Sequence, residues 1–122
     1  MQLSRISRAV IGLGGGVGAL GVVAAAAGSH GVESRNYSSI AAICLSHGPL
    51  LVALGLYGLR NRWFTAATAM LALGTTLFAG DLLVLQQWGS SPFALAAPIG
   101  GTAMILGWLL IIVAAVMTPT EG

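Results

Sequence analysis

From Arg62 the chain runs eighteen residues without a formal charge to Asp81, then thirty-nine more before Glu121. A helix rising 1.5 Å per residue needs about 20 apolar residues to cross a ~30 Å hydrocarbon core. Uncharged runs of this length therefore favour membrane spans over the buried elements of a soluble domain. Composition agrees: 7% of the 122 residues are charged, 57% are apolar, and the mean hydropathy is +0.92. A soluble domain carries about 25% charged residues.

Four stretches have spanning length: residues 9–28, 40–59, 63–87 and 98–117. Short polar links separate them. One holds Glu33, Arg35 and Asn36; the second is Arg60, Asn61 and Arg62; the third includes Gly89, Ser90, Ser91 and Pro92. Short links force neighbouring helices antiparallel. The expected fold is an all-α membrane protein, a four-transmembrane-helix antiparallel bundle forming a single domain over residues 1–122. Arg5, Arg8, Arg60 and Arg62 fall on one side of such a bundle and only Arg35 on the other. The positive-inside rule then puts both termini in the cytoplasm, as a multi-pass protein of the inner membrane. The first stretch also has the basic start and small-residue end of a signal peptide, but its apolar run exceeds the usual core of about 7–15 residues. A retained helix is the expectation.

The net charge of +2 comes from five scattered arginines and no lysine, so no phosphate-tracking stripe exists and nucleic acid is not an expected partner. Cys44 has no cysteine to pair with and lies in an apolar stretch, where packing is its ordinary role. The run Gly12–Gly18 lacks the lysine and preceding strand of a phosphate loop. Its spacing suits helix packing, which in lipid depends on close approach through small residues. Gly14, Gly18, Gly21 and Gly28 form such a seam on the first helix, with Gly48 on the second, Gly80 on the third, and Gly100 and Gly107 on the fourth.

The polar residues left in the spans are few. His47 lies about 10 Å and Asp81 about 9 Å from the outer surface, counting helical rise from the apolar boundaries. They are expected at one level, with His30 ending the first helix and Pro98, Gly100, Gly101 and Thr102 opening the fourth on the same side. Pro49 removes a backbone donor two residues beyond His47 and leaves the Leu45 carbonyl without its usual partner, a candidate kink. His30, His47, Asp81 and Thr102 therefore form the candidate polar cluster, lining a pocket in the outer half. Interhelical hydrogen bonding is the plainer role for the His47–Asp81 pair, and proton or solute handling the sharper one. A haem or metal held by His30 and His47 would need both rings at one depth, whereas they differ by roughly 10 Å. No cofactor, metal or catalytic group is therefore expected. Ser46 beside His47 makes no hydrolase site, since adjacent helix residues point apart.

The sequence resembles a family of small four-helix membrane proteins, domain of unknown function 423, which includes transmembrane protein 256 of animals. The segment Ala25-Ala26-Ala27-Gly28-Ser29-His30 is similar to the family's Gly-Ala-Phe-Gly-Ala-His, and His47 matches the histidine of its Tyr-Gln-x-x-His. Phe78-Ala79-Gly80-Asp81-Leu82 resembles Phe-Ser-Gly-Ser-Leu, Ala97-Pro98-Ile99-Gly100-Gly101 resembles Thr-Pro-x-Gly-Gly, and Gly107-Trp108 matches a Gly-Trp. Ile43-Cys44 replaces the family's Tyr-Gln, and Asp81 replaces a serine, so no family role carries onto Asp81. The resemblance implies four retained helices and draws attention to His30, His47 and Trp108. It implies no activity. The expected function is a non-enzymatic packing or accessory component of a membrane complex or homo-oligomer embedded in the lipid bilayer. The alternatives are a small proton or solute channel using Asp81 and His47, and a cofactor- or metal-binding subunit.

Overall fold

The computed structural model describes residues 2–30, 35–91 and 94–121 and folds them into four helices. These are α1 (Arg5–Ser29), α2 (Arg35–Tyr57), α3 (Arg62–Trp88) and α4 (Ala96–Met117). All four are long and apolar enough to cross a bilayer. The chain is an all-α membrane protein. Glu33 and Pro92, expected in the connections, lie outside the described residues.

The helices overrun the apolar stretches because hydropathy marks the lipid-facing length, whereas capping sets the ends. Ser4, in extended conformation, accepts the Ser7 N–H at 3.0 Å and starts α1 four residues before Ala9. The second helix begins at Arg35 and carries Asn36, Ser38 and Ser39 as an extra polar turn ahead of Ile40. It ends at Tyr57, not Leu59, because Gly58 (φ +91°) and Leu59 (φ +54°) turn left-handed. Glycine adopts that conformation freely, and Leu59 does so at a cost of about 1–2 kcal/mol. The Asn61 Oδ1 caps α3 by accepting from Trp63 N–H and Phe64 N–H, both at 3.0 Å. Its Nδ2 donates to Thr118 Oγ1 at 3.0 Å, tying the start of α3 to the end of α4.

In the bundle α1 packs on α2, α2 on α3, and α3 on α4. Gln2 shares a cavity with Tyr57 and Arg60, and Asn61 bonds Thr118, so both termini and the α2–α3 link occupy one end. We call it the terminal end and the opposite one the distal end, which is the outer side in the orientation expected above.

Small residues bring the paired backbones into direct contact. A Cβ on Gly48 would lie 2.9 Å from Gly18 N and 3.0 Å from Gly14 O. One on Gly74 would lie 2.7 Å from Gly100 O, and one on Gly100 2.7 Å from Phe78 N. Gly14, Gly21, Gly55 and Gly107 are equally tight. Gly28 and Gly101 have only ordinary contacts, to Tyr37 at 3.7 Å and Phe78 at 4.0 Å. Gly12, Gly15, Gly16 and Gly80 have nothing within 4 Å of their Cβ positions, and nor does Gly18, although Gly48 approaches its backbone. Ile40, Cys44, Leu51 and Leu71 are fully buried between the helices. Outward, Val23, Leu73, Ile105, Ile112 and Val116 are each more than 60% exposed. Such a surface is ordinary facing lipid and an aggregation hazard facing water. α2 runs through Pro49 without a break.

Candidate functional site

Register decides which polar residues meet. At the distal end Asn36 Nδ2 donates to Gln86 Oε1 at 3.4 Å, and at the terminal end the rings of Tyr57 and Phe64 lie 4.8 Å apart. These contacts set residue 47 of α2 opposite residue 75 of α3, and residue 81 opposite residue 41. His47 and Asp81 are thus offset by six residues, about 9 Å along the axis. No hydrogen bond or ion pair joins them. This corrects the expected His47–Asp81 pair. Its cause is the extra polar turn of α2, which sets His47 twelve residues from the helix start at Arg35 while Asp81 is seven from the end of α3.

His47 instead joins α4. The Trp108 Nε1–H donates to His47 Nε2 at 3.1 Å, with the rings edge-on, 5.7 Å apart at 79°. On the other side of the ring, Nδ1 lies 2.9 Å from Ile43 O and 3.0 Å from Ser46 Oγ. A carbonyl can only accept and an indole N–H can only donate, so these two partners dictate the tautomer. The proton is on Nδ1, and the Nε2 lone pair receives Trp108. The α3–α4 contacts set Met104 beside Gly74, which leaves the Trp108 backbone about one and a half turns nearer the terminal end than His47. Helical side chains lean toward the N-terminus of their own helix, which on α4 is the distal end. That lean carries the Trp108 ring back to the level of His47.

The contact clasps the α1–α2 hairpin to the α3–α4 hairpin. His47 is only 4% exposed and both its nitrogens are occupied. Neither is free for a metal or a travelling proton while Trp108 is in place. A cavity of about 310 Å³ adjoins the clasp, walled by Ile43, Phe78, Gly101, Met104 and Ile105. It is apolar apart from the clasp itself, unlike the polar pocket expected here. Ser46 does approach His47, contrary to expectation, because its hydroxyl folds back onto Ala42 O (2.8 Å) and Ile43 O (3.0 Å). Those carbonyls hold its proton, so it is no nucleophile.

Asp81 is 6% exposed, its Oδ1 has no partner, and its Oδ2 accepts from Ser91 Oγ at a long 3.4 Å. The α3–α4 register places it level with Ala97 in the first turn of α4, where Leu95 supplies no side-chain cap. A helix N-terminus favours a carboxylate by about 0.3–1 kcal/mol, up to ~2 when partly buried. A buried polar atom left unpaired costs about 1–3 kcal/mol, and Oδ1 is one. Asp81→Ala is therefore expected to raise unfolding stability in mixed micelles by roughly 1 kcal/mol; a loss of that size would show that the carboxyl group is a required cap.

The remaining candidates are dispersed. His30 is exposed at the end of α1. Thr102 is exposed, donates to Pro98 O at 2.8 Å, and lines an outer groove with Met70. The proposed cluster of His30, His47, Asp81 and Thr102 is thus not assembled, since each lies at a different depth or face. Cys44 is buried in the core. Among the described residues no three His, Cys, Asp or Glu side chains gather as metal ligands.

Comparison with known proteins accords with this architecture. The chain is 37% identical over 60 residues to the UPF0382 inner membrane protein YgdD of Escherichia coli K12, covering 49% of this chain and 46% of that one. It is 38% identical over 52 residues to the UPF0382 membrane protein YwdK of Bacillus subtilis, covering 43% and 42%. The matches thus span about half the length of these curated relatives. No solved structure matches significantly. With four spanning helices and relatives of this kind, it is a multi-pass inner-membrane protein. The model of the family described as "Protein of unknown function (DUF423)" matches residues 24–101, and the chain belongs to that family.

Proposed function

We propose that the protein is a non-enzymatic packing component of the membrane, offering a helix surface to a second copy or to a larger assembly. One observation carries this reading: α1 keeps an unused glycine pair. Gly12 and Gly16 are exposed, have nothing within 4 Å of their Cβ positions, and edge a groove of about 390 Å³ walled across by Thr76 and Gly80 of α3. The pair has the GxxxG spacing that lets transmembrane helices approach closely. The tight contacts of the bundle use other glycines, so this pair is free for a partner helix. Both termini would face the cytoplasm, which is supported by four arginines at the terminal end against Arg35 at the other.

Extraction in native lipid discs should return a particle larger than one chain. Gly16→Leu should reduce it to a monomer with unchanged helix content, because its Cβ meets nothing within 4 Å and the groove of about 390 Å³ has room for the side chain. A wild-type monomer with no co-purifying chain would defeat the proposal. The channel alternative loses the His47–Asp81 relay on which it depended.

A further inference from the structure

The terminal end holds a pocket that neither the clasp nor the glycine groove uses. It encloses about 210 Å³ between the start of α1 and the end of α2. Gln2, Ser4, Ser7, Tyr57 and Arg60 supply its polar lining, and no carboxylate is among them. Leu3 and Leu56 add apolar wall.

Ser7 is the telling residue. It is 1% exposed, lines the pocket, and its Oγ has no hydrogen-bond partner. Elsewhere in the helices Ser46, Thr68, Thr76 and Thr102 each donate to the carbonyl four residues back. Ser7 makes no such bond, and it differs from Thr75, the other buried hydroxyl without a partner among the described residues, in lining a polar pocket. A buried hydroxyl without a partner costs about 1–3 kcal/mol, which a bound acceptor would recover.

The α1 side of the pocket is electropositive, while the last turn of α2 brings carbonyls, one of which, Tyr57 O, accepts from Arg60. The first turn of α1 brings the positive end of the helix dipole, contains no acidic residue, and carries Arg5 and Arg8. Cations at that position are unfavourable and call for an anion. Arg60 is held over the pocket by its Nε–H to Tyr57 O at 3.0 Å and by stacking 5.5 Å from the Tyr57 ring. Both anchors leave its two terminal amino groups free, in the fork that suits a phosphate. Arg62 lies nearby but stacks on Trp63, outside the pocket lining.

The geometry points to a phosphate-binding site, with the headgroup of an anionic phospholipid as the phosphate presented at this depth. The Arg5 and Ile6 amides, the Ser7 hydroxyl and the Arg60 guanidinium are the donors, since the Ser7 and Arg8 amides are taken by Ser4. Leu3 and Leu56 face the start of the acyl chains. The same donors would accept free phosphate, so the test separates the two sources.

Purified full-length protein in neutral detergent is melted against short-chain phosphatidylglycerol, short-chain phosphatidylcholine and inorganic phosphate at one ionic strength. Phosphatidylglycerol should raise the melting temperature saturably, and phosphatidylcholine should not. Arg60→Gln should weaken that binding about fivefold, the worth of one arginine at a lipid surface. Arg62→Gln, which keeps the pocket, should weaken it less than about twofold. Ser7→Ala should lower affinity while the ligand-free protein melts no lower than wild type, because its hydroxyl bonds nothing. Stabilisation by inorganic phosphate as well would assign the site to free phosphate; stabilisation by phosphatidylglycerol alone would assign it to lipid. Equal responses to both lipids with none to phosphate, or equal losses in Arg60→Gln and Arg62→Gln, would overturn the site.

Discussion

Gly74→Ala is expected to lower unfolding stability by about 1–3 kcal/mol, the cost of overpacking a close contact. The added methyl would sit 2.7 Å from Gly100 O and 2.9 Å from Met104 N, and both are backbone atoms that no rotamer change can move aside. α3 and α4 must then separate, which loosens the lipid-shielded contact that holds the hairpin together. Gly12→Ala and Gly80→Ala add the same methyl where nothing lies within 4 Å and should leave stability unchanged or slightly raised. Unfolding in mixed micelles with increasing dodecyl sulfate reads the difference. Equal effects at all three positions would mean that intrinsic helix propensity, not backbone contact, governs the glycines.

Removing the clasp is expected to have the other large effect. His47→Leu strands the indole N–H of Trp108, and Trp108→Phe strands His47 Nε2 inside the bundle. Each variant should lose roughly 1–3 kcal/mol, because a polar group left unpaired away from water, within the bundle for His47 or against lipid for the 43% exposed Trp108, costs its desolvation. The hairpins would remain joined by the α2–α3 contact, including the polar pairs Asn36–Gln86 and Tyr37–Gln87. The variants should therefore fold with the same helix content while melting earlier.

The number of spans and their antiparallel order were legible in the sequence, because lipid imposes length and charge rules that act residue by residue. Helix ends were less so. Arg35, Asn36, Ser38 and Ser39 are polar yet helical, and hydropathy counts them as loop. That one extra turn undid the site expectation, because it moved His47 five residues deeper and away from Asp81. Trp108 did carry a signal. It sits near the middle of a span, where an interfacial tryptophan does not belong, and its N–H required a buried acceptor. Choosing His47 as that acceptor needed the register between hairpins, which no local pattern encodes. Ser7 and Arg60 were invisible for a similar reason, since only the fold shows that one hydroxyl lacks a carbonyl and one guanidinium overhangs the helix start.

The most direct measurement is a double-mutant cycle between His47→Leu and Trp108→Phe in reversible micellar unfolding. A clasp predicts a coupling of about 0.6–1.7 kcal/mol, the range for interhelical hydrogen bonds in membranes. Losses that simply add, with no coupling, would mean that the two side chains act independently and that His47 is free for other chemistry.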